Sequence, residues 1–307
     1  MTCHSGLARP PTTVDINGSL FDLGLDLYIR KYHVLLPIVH LPSFEPQKVG
    51  PEELYLMCML GLTFANTNDS AKIVEHIFPD LKSRRLLWKS LNVTIDIFSK
   101  WNPNCLVIWH NICLLLTADR LLLERGAGRE GDNKAMTARS TIATWASTAA
   151  ARRAVLHASQ LLKIFSNRRI FSNRRLSDGT GFQSIRALFF AALVLGFYIL
   201  TYADGSSDTT VEAMADIDWV AVGFEGLEPY RADRGEPIDN SAVNFIRFGG
   251  TLSLAGRVYH GGPQDARRIL TDFADLLDEI KKYNIGEYSR LLYTLGDTLS
   301  RSEVTTP

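Results

Sequence analysis

Apolar residues recur along this chain at helical spacing, and alternating strand-like runs are scarce. Leu25, Tyr28, Ile29 and Tyr32 follow the three-to-four residue period of a helix until Pro37 interrupts it. Pro51, Glu52 and Glu53 form a first helical turn, because proline loses no hydrogen bond there and carboxylates suit the positive end of the helix dipole. A buried helix from Leu54 to Ala65 follows. Asp80 can cap a further helix with the stripe Leu87, Leu91, Ile95 and Phe98. Asn102 and Pro103 open another, which Gly126 ends after Leu121, Leu122 and Leu123.

A polar loop over Gly126–Lys134 then leads to a second run of helices. Trp145, Ala149, Arg153, Leu156 and Gln160 fall on one face of a helix continuing toward Phe165. Ile269, Leu270, Phe273, Leu276, Leu277 and Ile280 make the clearest amphipathic stripe in the chain. Serious interruptions are confined to Asp204–Thr210 and Gly223–Asn240. The pattern predicts an all-α fold, a single large multi-helix bundle over residues 21–300, with a flexible lead at 1–20 and a tail at 301–307.

Two segments complicate that picture. Ala187–Ala203 carries no charge and lies at the lower edge of the roughly 17 to 25 residues that a membrane helix requires. It reads either as a membrane span or as a helix covered on all sides by neighbours, and the similar character of other segments favours the second. The hexamer IFSNRR occurs twice in succession, at Ile164–Arg169 and Ile170–Arg175. Six extra residues rotate a helix by roughly 240°, so a second copy inside a packed helix would misplace its apolar face. The duplication is therefore expected at a helix end that runs into the loop near Ser177–Gly181.

Composition adds exclusions. With 46% hydrophobic and 21% charged residues, the chain is neither disordered nor a disulfide miniprotein. Lys and Arg (33) balance Asp and Glu (33), so net charge gives no reason to condense onto nucleic acid or an acidic membrane. Cys3, Cys58, Cys105 and Cys113 include no close CxxC pair, which fits a reducing compartment. Met1–Pro11 has no secretory apolar run, and the sequons at Asn17, Asn68 and Asn92 read as chance.

The candidate chemistry is sparse. GAGREG at Gly126–Gly131 matches GxGxxG, but it follows a helix instead of the strand that a dinucleotide site needs. Asp272, Asp275 and Asp278, with Glu279, could gather Mg²⁺ as in all-α terpene synthases, with NDSAKIVE at Asn68–Glu75 as a loose second ligand set. Their place beside an apolar stripe, with Lys281 and Lys282 near, also suits a solvated face. Cys105, Trp109 and Cys113 share a face next to His110, and their spacing alone cannot converge four zinc ligands. His33 and His40, flanking Pro37, read as core or helix-end residues. The sequence contains neither a nucleophile elbow nor a P-loop.

LYIRKYHVLLPIVHLPSF at Leu27–Phe44 resembles the opening of the fungal-specific transcription factor domain, the middle homology region found behind zinc-cluster or C2H2 fingers. PEELYLMCMLGLTFA, WASTAAARRAVLHASQLLKIF, IDWVAVG and GGPQDARRILTDFADLLDEI are similar, in order, to later parts of that domain. The likeness spans about Phe21 to Leu299. It implies an all-α regulatory domain in the nucleus, acting in RNA polymerase II transcription without enzymatic activity. The implied partners are transcriptional machinery or regulatory proteins, a small-molecule effector and a second copy in a homodimer, with no membrane. About twenty residues precede the matching region, and Cys3 and His4 lack finger spacing. The zinc and DNA reading of the family, which its members carry in a finger outside this domain, are therefore assigned to no residue of this sequence. No catalytic, cofactor-binding or metal residue is assigned in the chain. The rival classes are an Mg²⁺-dependent enzyme using Asp272–Glu279 and a single-span membrane protein through Ala187–Ala203.

Overall fold

The computed structural model describes residues 18–33, 41–49, 54, 57–58, 61–62, 103–171, 176, 181–202, 210–227, 238–280 and 286–301. The chain forms two compact units, Met1–Leu81 and Lys82–Pro307. The expected helix capped by Asp80, the NDSAKIVE segment, Pro37, His40 and the Cys105 side chain lie outside the described residues.

In the first unit, α1 (Gly18–Leu27) runs into a π-helical turn at Tyr28–Tyr32, closed by the His33 amide donating to the Tyr28 carbonyl at 2.7 Å. Two short 3₁₀ turns follow at Leu41–Ser43 and Pro46–Lys48. Met57, Cys58 and Leu62 are buried and helical, in keeping with the predicted Leu54–Ala65 helix. This segment meets α1 backbone to backbone. A Cβ on Gly24 would stand 2.5 Å from Cys58 Sγ, and one on Gly61 would overlap the Gly24 carbonyl and stand 2.6 Å from Tyr28 N. Only glycine permits that approach.

The second unit carries nine helices and a small sheet among its described residues. Pro103 opens α2 (Pro103–Thr117), and α3 (Arg120–Gly126) leaves it at 81° after Asp119, whose carboxylate accepts from Leu122 N at 3.0 Å. Next come α4 (Asp132–Ala146) and α5 (Ala149–Phe171). The face expected from Trp145 through Gln160 is thus divided between two helices. The break arises because the Thr148 hydroxyl accepts from Ala151 N at 3.1 Å and caps a new start, while Trp145 turns its indole N–H to the Thr117 carbonyl at 3.0 Å.

The long apolar segment is α6 (Phe182–Thr201), with Ala203 beyond the described residues. By length and composition α6 could cross a membrane, yet nearly every side chain from Ser184 to Ile199 is buried by protein. It packs against α2, α5 and the amphipathic α9 (Pro263–Ile280), which also pairs with α10 (Gly286–Arg301). Gly196 brings α9 close, since a Cβ there would stand 2.7 Å from Leu270 Cδ2.

The tandem hexamer falls where α5 ends. Its first copy remains helical and buries Phe165 completely, whereas Ile170 of the second is 69% exposed and α5 stops one residue later. The core-facing register is therefore complete before the second copy begins.

A three-stranded sheet joins the helices, and the periodicity gave no sign of it. β1 (Thr210–Glu212) runs parallel to β2 (Thr251–Leu254), which pairs antiparallel with β3 (Arg257–Tyr259). Two short helices, α7 (Trp219–Val222) and α8 (Ser241–Phe248), lie between β1 and β2. Side chains of α5 fasten this region. Gln160 Nε2 donates to the carbonyls of Ala213 and Ala215, each at 2.8 Å. Arg152 donates to the carbonyls of Ile246 and Arg247 at 2.8 and 3.1 Å, capping α8.

Candidate functional site

The GxGxxG match lies in the connection between α3 and α4. Gly128 and Gly131 take φ of 95° and 93°, which bends the chain from one helix into the next. Arg125 and Lys134 hold Glu130, and Arg129 holds Glu124. Arg139 Nε donates to the Gly126 carbonyl at 3.0 Å and closes α3. This is a helix-ending turn, with α4 already begun at Asp132 and the loop shorter than Gly126–Lys134.

The acidic series on α9 faces outward. Asp275 and Asp278 are exposed and Asp272 is half-buried, while Phe273, Leu276 and Leu277 point inward. Each carboxylate has a protein neighbour: Asp275 accepts from the Tyr293 hydroxyl at 2.6 Å, Asp272 lies 3.9 Å from Arg257, and Glu279 pairs with Arg169 at 2.6 Å. Among the described residues, no three His, Cys, Asp or Glu side chains gather as metal ligands. Replacing Asp272, Asp275 and Asp278 together by Asn should shift stability by no more than about 1 to 2 kcal/mol, because exposed pairs contribute little. Phe273→Ala on the opposite stripe should cost about 3 to 5 kcal/mol. Mg²⁺ should leave the melting temperature unchanged. A saturable Mg²⁺-dependent rise that the triple variant loses would instead make these carboxylates a metal site.

The densest collection of functional side chains is a buried knot between α2, α5 and α7. Trp109, His110 and Cys113 come from successive turns of α2, Arg153 and His157 from α5, and Trp219 from α7. The Nδ1 atoms of His110 and His157 lie 3.1 Å apart, so one ring donates and the other accepts. Trp219 stacks on His157 with 3.9 Å between centroids and 10° between planes, and Trp109 meets both imidazoles edge-on at 4.7 and 5.2 Å. The Arg153 side chain, wholly buried, donates from Nη1 to the carbonyls of Gly223 and Glu225 at 2.9 and 2.8 Å. Its guanidinium carbon stands 5.7 Å from the Trp219 ring.

Burial dominates the electrostatics of this knot. It pushes His110 down to about 3, with the charge of Lys163 adding, and holds His157 well below the usual imidazole range, with Arg153 and His110 adding. Arg153 is lowered by burial to about 10 and stays charged, while burial drives the Cys113 thiol far up against the pull of Arg153. Burial thus favours the neutral form of both imidazoles and the protonated form of the Cys113 thiol. His157 Nε2 is buried with no hydrogen-bond partner among the described residues.

A pH dependence follows. The unfolded chain binds protons at these imidazoles near pH 6.5 and the folded chain does not, so stability is full above that value and falls as pH drops below it. Each imidazole should remove about 1.4 kcal/mol for each pH unit below about 6.5. Denaturant midpoints between pH 7.5 and 5.5 test this, and a midpoint independent of pH would show that the pair titrates in the fold.

The spacing of Trp109, His110 and Cys113 drew attention to α2, but His157 and Trp219 carried no separate signal, because their meeting is tertiary. Comparison with known protein families, with curated proteins and with solved structures finds no match to this chain.

Proposed function

We propose that this chain is the regulatory, non-DNA-reading domain of a fungal transcription factor, acting in the nucleus on RNA polymerase II transcription through a partner protein or a small effector. The observation that carries the reading is where the resembling segments meet. Arg153 and His157 come from the Trp145–Phe165 segment, Trp219 and Gly223 from IDWVAVG, and they bond and stack on one another in the buried knot. Stretches far apart in the chain, each similar to the same family, thus supply matching halves of one structural element. The chemistry of the knot accords with a scaffold: burial favours neutral imidazoles and a protonated thiol, and the Arg153 guanidinium donates to backbone carbonyls that belong to the turn after α7. Of the α9 carboxylates that the enzymatic alternative requires, Asp275 and Glu279 are engaged by Tyr293 and Arg169.

The test is to tether the full chain to an unrelated DNA-binding module above a reporter gene in a fungal host. Transcription should change several-fold relative to the module alone. A fusion that is expressed, nuclear and without effect on the reporter would overturn the proposal. The isolated chain, with zero net charge, should bind duplex DNA only weakly and without sequence preference.

A further inference from the structure

We propose that the cleft between the second half of α5, the β2–β3 hairpin and α9 is a binding site for a small zwitterion of the α-amino-acid class with an apolar side chain. The cleft encloses about 290 Å³, at the small end of ligand sites and suited to one molecule of that size. Its apolar lining comes from Leu162, Leu254 and Leu276, and its charged lining includes Arg257, Asp272 and Asp275. Opposite charges thus lie side by side in the lining, together with apolar side chains. A simple cation would meet the guanidinium, and a simple anion would meet the carboxylates. A molecule bearing an ammonium and a carboxylate on one carbon satisfies both, and its side chain has the leucines to lie against.

The charged groups leave room for such a guest. Arg257 and Asp272 stand 3.9 Å apart, beyond hydrogen-bond distance, and each is about half exposed. Arg169, also at the cleft, is held by Glu279 at 2.6 Å, so a ligand carboxylate would bind Arg257, whose present neighbours are Asp272 and the Tyr259 hydroxyl. An ammonium would reach Asp272, with Asp275 beside it anchored by the Tyr293 hydroxyl.

The hairpin that presents Arg257 is fixed before any ligand arrives. Its two-residue turn, Ala255–Gly256, has positive φ at both positions, 53° and 75°. Ala255 is the one non-glycine residue with positive φ among those described, a conformation that alanine resists. The Glu212 carboxylate imposes it, accepting from the amides of Ala255 and Gly256 at 3.1 Å each and from the Ser253 hydroxyl at 2.6 Å. Positive φ at both positions is what a two-residue hairpin turn requires, and the Glu212 contacts hold in place the strand that carries Arg257.

Calorimetric titration of the full chain with L-leucine, L-methionine and L-phenylalanine tests the assignment, with isopentylamine and 4-methylpentanoate as probes that keep one charge each. At least one of the amino acids should bind saturably at one site, and each single-charge probe should bind about tenfold or more weakly. Arg257→Gln and Asp272→Asn should each weaken the amino acid by a similar factor while leaving the melting temperature within about a degree or two, since both side chains are half exposed. No saturable binding by any of the three, equal binding of a single-charge probe, or indifference to both substitutions would overturn it. Binding is read on the isolated chain and transcription on the tethered one, so either result can fail without the other.

Discussion

Leu193→Asp should leave the second unit without a cooperative thermal transition under conditions where the unaltered chain is folded. Leu193 lies in the middle of α6 with no exposed surface, inside the apolar cluster that joins this helix to α5 and α9. The described residues clustered around it are apolar, so an aspartate there is buried either as an unpaired charge or as a protonated acid stripped of water. Either costs several kcal/mol, against a total stability of about 5 to 15. Circular dichroism on heating reads the outcome. An unaltered melting temperature would mean that α6 exposes this face, and retention of the chain in membranes through alkaline carbonate extraction would then make α6 a span.

The second large effect is expected from Arg153→Met, which keeps the length of the buried stem and removes its head. The carbonyls of Gly223 and Glu225 lose their donor, and Trp219 loses the cation above its ring. At about 1 to 3 kcal/mol for each buried group left unsatisfied, the loss should reach about 3 to 5 kcal/mol. Arg153→Lys keeps the charge but lacks the rigid fork, so it should recover only part of that loss. Tryptophan fluorescence during denaturation follows both the midpoint and the release of Trp219. A midpoint shift worth less than about 1 kcal/mol would show that the guanidinium is not what holds α7 to α5.

Much of this architecture was legible in the sequence, and the exceptions share a cause. The stripe from Ile269 to Ile280 became α9 because its period is strong and its opposite face charged. Pro103 and Gly126 marked boundaries because each has a local conformational effect that neighbours do not override, whereas the one helix expected between them is split in two at Asp119, whose side chain caps a second start. The break at Ser147–Thr148 went unread because Ala, Ser and Thr continue a helix as readily as they cap one, and the deciding hydrogen bond from Ala151 is visible only in the fold. Strands of three or four residues are too short to show a period of two, and what holds β1 in place is Gln160 and the pairing with β2. The histidine pair illustrates the same limit. His110 stood out beside Trp109 and Cys113, whereas His157 sat in an alanine-rich helix with nothing nearby in sequence to mark it.

The parallel pairing of β1 with β2 also makes the hairpin wall depend on a distant part of the chain. Helix pairs such as α9 and α10 are neighbours along the chain, whereas β1 meets β2 only by closing the whole stretch from Ala213 to Gly250, which brings Thr210 to Thr251. Glu212 gains its hold on the Ala255–Gly256 turn only through that closure. The hold of Glu212 on the hairpin wall therefore depends on a contact made across about forty residues of chain, and not on the hairpin's own sequence.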